Sequence, residues 1–97
     1  MIRHIVLFKF KPGISWEAPV AQEAERICRQ VGAEVPELRE WIVGRNITPR
    51  DIAYDLAVIG LVDDEEALRR YLVDPFHQKA IALWREISDW VVADIKE

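Results

Sequence analysis

The spacing of apolar residues divides the chain into two kinds of segment. In IRHIVLFKF (residues 2–10), Ile2, His4, Val6, Phe8 and Phe10 share one parity, and Arg3, Ile5, Leu7 and Lys9 share the other. Both sets are apolar at their centres, which predicts a strand covered on both faces. KPG at 11–13 ends it. The period then lengthens. Val20, Ala24, Ile27, Val31 and Val35 follow at intervals of 4, 3, 4 and 4, the stripe of an amphipathic helix. Ser15 is placed to cap that helix, with Pro19 in its first turn and Gly32 and Pro36 marking its end. LREWIVGRNI (38–47) and YDLAVIGLV (54–62) read as two further strands joined by a turn at TPRD.

Asp63 or Asp64 caps a second helical segment, whose first turn carries Glu65 and Glu66 at the positive end of the dipole. Leu68, Tyr71 and Leu72 form its inner side. Asp74-Pro75 stops that helix and starts another, with Phe76, Ala80, Leu83 and Ile87 as a new stripe. SDWVVADIKE closes the chain as a fourth strand.

The order βαββαβ predicts an α+β, ferredoxin-like domain over residues 1–97: one antiparallel four-stranded sheet with the helices on one face. The other face stays bare. It is expected to carry Ile5 and Leu7 from the first strand and Trp90 and Val92 from the fourth. A monomer should not expose such a patch. A second copy packed sheet against sheet would cover it, giving a homodimeric α/β barrel.

Composition narrows the function classes. The chain is 51% hydrophobic and 31% charged with a net charge of −4. This suits a compact globule and offers no basic stripe for nucleic acid. One cysteine, Cys28, excludes an internal disulfide. Arg3, His4 and Lys9 break up the N-terminal apolar run, so it does not read as a secretion signal, and no segment is long enough for a membrane span. A cytoplasmic protein is expected.

These segments resemble the stress-responsive α/β-barrel (Dabb) family. MIRHIVLFKFK is similar to its first strand, histidine included. WIVGRN, followed by AYDLAVIGLVDDEEALRRYLVDPFHQ, is similar to its second half. The resemblance implies a homodimeric barrel but no single activity. Some plant members are stress-associated assemblies. One related plant enzyme is a polyketide cyclase that closes a ring by aldol condensation, using a tyrosine and a histidine that match Tyr71 and His77. The family often has His-Pro-x-His where this chain has Asp74-Pro75-Phe76-His77, so the first of those histidines is missing here.

The candidate catalytic residues are His77, Tyr71 and His4. With Asp74 as N-cap, His77 falls at the third helical position, where the dipole favours a neutral imidazole able to act as a base. His4 lies on the parity expected beneath the helices, either as a hydrogen-bonded core histidine or as a catalytic group. Tyr71 either packs only or offers its hydroxyl. Meeting between helices and sheet, the three would form a small-molecule pocket walled by Val6, Phe8, Val58 and Val91, with Ile81 and Trp84 nearby. There His77 would take a proton next to a carbonyl and Tyr71 would stabilise the oxyanion.

No metal or cofactor site is expected. Two histidines and scattered acids do not make a zinc site, and the acids at 63–66 lack calcium-loop spacing. The four glycines form no phosphate loop. Carbonyls near Gly32, Val35 and Leu38 are a candidate cation site only by resemblance to some family members. The leading expectation is therefore a cofactor-independent cyclase, lyase or isomerase, or a binder, acting on a small hydrophobic carbonyl or aromatic compound. Its alternatives are a non-catalytic stress-associated homodimer and, third, a monooxygenase or haem-binding relative.

Overall fold

The computed structural model describes residues 1–97. The elements run β1 (Ile2–Phe10), α1 (Pro19–Glu34), β2 (Glu40–Arg45), β3 (Leu56–Val62), α2 (Glu65–Val73), α3 (Pro75–Ile87) and β4 (Ser88–Lys96). The four strands form one sheet in the order β2-β3-β1-β4, every neighbouring pair antiparallel. This is the expected ferredoxin-like arrangement, with the second helical segment divided at Asp74.

The parity of β1 decides the core. Ile2, His4, Val6 and Phe8 are buried, facing Val62, Gly60, Val58 and Leu56 across the β1–β3 ladder. α1 covers this face with Ala21, Ala24, Ile27, Cys28 and Val31, and α3 with His77, Ala80, Trp84 and Ile87. The opposite parity, with Leu7 at 37% exposure and Ile42 at 54%, has no cover within the chain.

Asp74 explains the break between α2 and α3. Its carboxylate accepts from the amides of Phe76 (2.8 Å) and His77 (3.3 Å), two of the donors that a helix start leaves unpaired. Pro75 follows at the first helical position, where a missing amide costs nothing. Asp64 caps α2 in the same way, accepting from Ala67 N at 2.8 Å.

Several expectations from the sequence need correction. β4 is one residue out of phase with the reading above. Trp90 and Val92 pair with Phe8 and Val6, so they lie on the helix-covered face, whereas Val91 pairs with Leu7 on the bare one. Val91 is 49% exposed and is not a wall of any pocket under the helices. Trp-Val-Val is a continuous apolar run, so its parity comes from the β1 ladder rather than from alternation.

Ser15 does not cap α1. Ala18 occupies the cap position without a side-chain bond, and Ser15 Oγ instead accepts from Glu17 N within the preceding turn. Val20 is exposed, because the buried stripe starts at Ala21. Leu72 also stands largely outside, with Ala67 and Tyr71 as the buried residues of α2. Phe76 and Leu83 are only partly buried; His77 and Trp84 take the inner positions of α3.

α1 ends at Glu34, between Gly32 and Pro36 as expected, but Gly32 lies in its last turn, and what it provides there is space. A Cβ there would stand 2.6–2.8 Å from the Trp41 side chain. Gly60 packs less tightly against the opposite edge of that ring, with a would-be Cβ 3.1 Å from Trp41 Cε3. Trp41 therefore lies between two glycines, and its indole N–H donates to Cys28 O at 2.9 Å.

Candidate active site

Three elements aim polar side chains into one space. β1 supplies His4, α2 supplies Tyr71 and the first turn of α3 supplies His77. The ring centroids of Tyr71 and His77 are 4.2 Å apart, and those of Tyr71 and His4 are 5.1 Å apart and nearly perpendicular. Tyr71 is the middle ring. All three are buried, at 3% exposure for His4, 1% for Tyr71 and 7% for His77. They line a cavity of about 80 Å³ between the helices and the sheet.

The sequence places His4, Tyr71, His77, Val6, Phe8, Val58, Ile81 and Trp84 at this cavity, and the structure brings all eight there. Val91 lies on the other face of the sheet. Trp90 and Val92 occupy the wall assigned to it, and Cys28, Val31, Trp41, Leu72 and Ala80 complete the lining. Cys28 is buried and its thiol is pushed up to about 12, chiefly by desolvation, so it offers no thiolate.

Asp94 is the site residue that the sequence reading missed. It sits directly across the ladder from His4, and the Nδ1–H of His4 donates to its carboxylate at 2.5 Å. This fixes the ring and its tautomer and leaves Nε2 free. In sequence Asp94 looks like one more acid in a polar tail. Only the β1–β4 register brings it to a histidine, and the phase of β4 was not readable from its own pattern.

His77 is oriented differently. Its Nδ1–H points to the Leu72 carbonyl at 3.4 Å, again leaving Nε2 unprotonated in the neutral ring. Burial holds its pKa below the ordinary histidine value, and the neighbouring His4 works in the same direction. The Leu72 carbonyl and Asp74 oppose the shift without reversing it. Burial also pushes the Tyr71 phenol well above its ordinary pKa, so it remains a hydrogen-bond donor at neutral pH.

No protein group bonds the Tyr71 hydroxyl or either free Nε2. Yet no fully buried side-chain polar atom lacks a partner. These three atoms therefore keep some accessible surface, and the residues that carry them all line the cavity. Chemically, the site offers a neutral imidazole as base, a phenol as donor and a second imidazole held by a carboxylate, within walls that are otherwise apolar.

The Val35 carbonyl already accepts from Leu38 N at 3.2 Å, and no group of three or more His, Cys, Asp or Glu side chains is placed to hold a metal. No helix is long and apolar enough to cross a membrane.

Comparison with known proteins gives a consistent picture. The sequence pattern described as the Stress responsive A/B Barrel Domain matches residues 2–97. An uncharacterised protein of Streptomyces coelicolor is 46% identical over 94 residues, covering 97% of each chain. Among solved structures, a dimeric ferredoxin-like protein of unknown function from Thermobifida fusca superposes with a TM-score of 0.86 at 26% identity, covering 99% of this chain and 90% of its own. The hydroxynitrile lyase of Passiflora edulis superposes with a TM-score of 0.81 at 18% identity, covering 99% and 94%, a likeness of fold.

Proposed function

The chain belongs to the stress-responsive A/B barrel (Dabb) family, and from that premise we propose that it is a cofactor-independent acid–base enzyme acting on a small carbonyl compound. One observation carries the reading: the three residues whose polar atoms lack protein partners all line a single, otherwise apolar cavity. In the proposed step Nε2 of His77 takes a proton from the carbon next to the carbonyl. The C–H bond breaks, and its electron pair moves through the carbonyl carbon onto oxygen. The Tyr71 hydroxyl donates to that oxygen as it becomes an enolate. His4, held by Asp94, presents a second imidazole to the same space. Return of the proton from His77 restores the base. The same scaffold carries an enzyme in one fold neighbour, the hydroxynitrile lyase.

The non-catalytic reading is favoured by the cavity's size, about 80 Å³, where ligand pockets commonly measure ~300–1,000 Å³. The same volume argues against haem or a quinone in this space. We also propose that the working unit is a homodimer closed through the bare sheet face, where Ile5, Leu7, Ile42 and Val91 share one side. The neighbour from Thermobifida fusca is described as dimeric.

Acetone in heavy water tests the chemistry without knowledge of the natural substrate. Loss of its methyl proton signal reports proton removal next to a carbonyl. The wild type should accelerate this exchange. His77→Ala should lower the rate by about 10²–10⁴-fold and Tyr71→Phe by about 10²–10³-fold, with both variants folded. No acceleration by the wild type, or equal rates in folded variants, would favour the non-catalytic reading.

A further inference from the structure

The walls of the cavity say what kind of carbonyl compound fits. Its volume of about 80 Å³ is roughly half that of an apolar cavity that takes up benzene, ~150 Å³. A six-membered aromatic ring therefore does not fit without movement of a wall. No lysine or arginine reaches the space. Asp94, behind His4, is negative and is already bonded to Nδ1 of His4. A carboxylate or phosphate would lose its hydration there and meet no lysine or arginine in the lining.

Three tryptophans bound the space, and they are held in different ways. Trp84 is 1% exposed, donates to Ala24 O at 3.1 Å and packs its ring on Phe8 at 4.5 Å. Trp41 is fixed between Gly32 and Gly60 and donates to Cys28 O. Both belong to the core. Trp90 is half-buried on the edge strand, and its indole N–H has no protein acceptor. Its ring lies 5.5 Å from Phe8, with the Arg85 guanidinium 6.0 Å away. Trp90 is thus the large wall residue that can be shortened without breaking a core hydrogen bond.

Resting on the carbonyl-site reading above, we propose that the ligand is a neutral aliphatic aldehyde or ketone of only a few heavy atoms, and that Trp90 sets the upper size limit. This excludes the aromatic half of the ligand class expected from sequence.

Acetone, acetophenone and acetate serve as probes in an NMR titration of the full chain, following ring signals of His77 and Tyr71. Wild type should give saturable shifts with acetone and none with acetophenone or acetate. Trp90→Ala should bind acetophenone at least about tenfold more tightly than wild type, with acetone still bound. Trp90→Leu keeps an apolar side chain and should shift the preference in the same direction if the alanine variant folds poorly. Four results would overturn the proposal: no acetone binding, equal binding of acetophenone by wild type, saturable binding of acetate, or an unchanged preference in both Trp90 variants. Acetone binding without proton exchange would refute the catalytic step and leave the size limit standing. Exchange of acetophenone by wild type would do the reverse.

Discussion

Substituting Gly32 by alanine sets two opposed effects against each other. In a helix interior Gly→Ala ordinarily stabilises by about 1 kcal/mol. Here the added Cβ would lie 2.6 Å from Cδ1 of Trp41 and 2.8 Å from its Cβ and Cγ. The near atoms include the root of the side chain, so the indole cannot swing clear while β2 stays in place. Trp41 is also backed by Gly60 and tied to Cys28 O. Overpacking of this kind costs about 1–3 kcal/mol, and a weakened indole bond adds ~1 kcal/mol. After subtracting the helix gain, Gly32→Ala should destabilise by roughly 1–3 kcal/mol. Urea unfolding should show a lower midpoint at an unchanged slope. A double-mutant cycle isolates the cause: in a Trp41→Ala background the same change should be neutral or stabilising by up to ~1 kcal/mol. A stabilised single variant, or equal losses in both backgrounds, would refute the close-packing account.

Asp74→Ala removes one carboxylate that serves two amides and should cost about 1–2 kcal/mol, read as a lowered Tm with the fold retained. Leu7→Asp puts a charge in the centre of the bare sheet face and should convert a dimer to monomer, or unfold it, by sedimentation. A stable wild-type monomer would contradict that, since an obligate interface of this type buries on the order of 2,000 Å². His77 supplies a pH dependence. Its folded pKa lies below the ordinary 6.5, so the unfolded chain binds a proton that the native protein does not. Stability should therefore fall as pH drops through that value and level off below the folded pKa. His77→Gln should lose stability less steeply than wild type between about pH 7.5 and about pH 5.5; parallel losses would contradict a buried neutral ring.

Much of this architecture can be read from the chain because β1 carries an unambiguous pattern. Once Ile2, His4, Val6 and Phe8 are assigned to the covered face, Ile5 and Leu7 fall on the bare one. The cap at Asp74 is equally local, since an Asp-Pro pair places both its own carboxylate and the direction of His77. What could not be read depended on pairing between distant segments. Trp90-Val91-Val92 has no alternation, so only the ladder with β1 shows which of the three faces the cavity. The same ladder delivers Asp94 to His4 across 90 residues of sequence. Gly32 stands near the end of α1, as glycine often does; its neighbour Trp41 comes from another element, and the need for space beside it is tertiary. The cavity's volume likewise follows from how three tryptophans pack, which no spacing rule encodes.

The proposed chemistry turns on which nitrogen of His77 carries the proton. Ring ¹⁵N spectra of the labelled protein, followed through a pH titration, read this directly. The account predicts a neutral ring at pH 7 with the proton on Nδ1, directed to the Leu72 carbonyl 3.4 Å away, and Nε2 bare, with protonation only below the ordinary histidine value. A ring protonated on both nitrogens at neutral pH, or a neutral ring with its proton on Nε2, would contradict it.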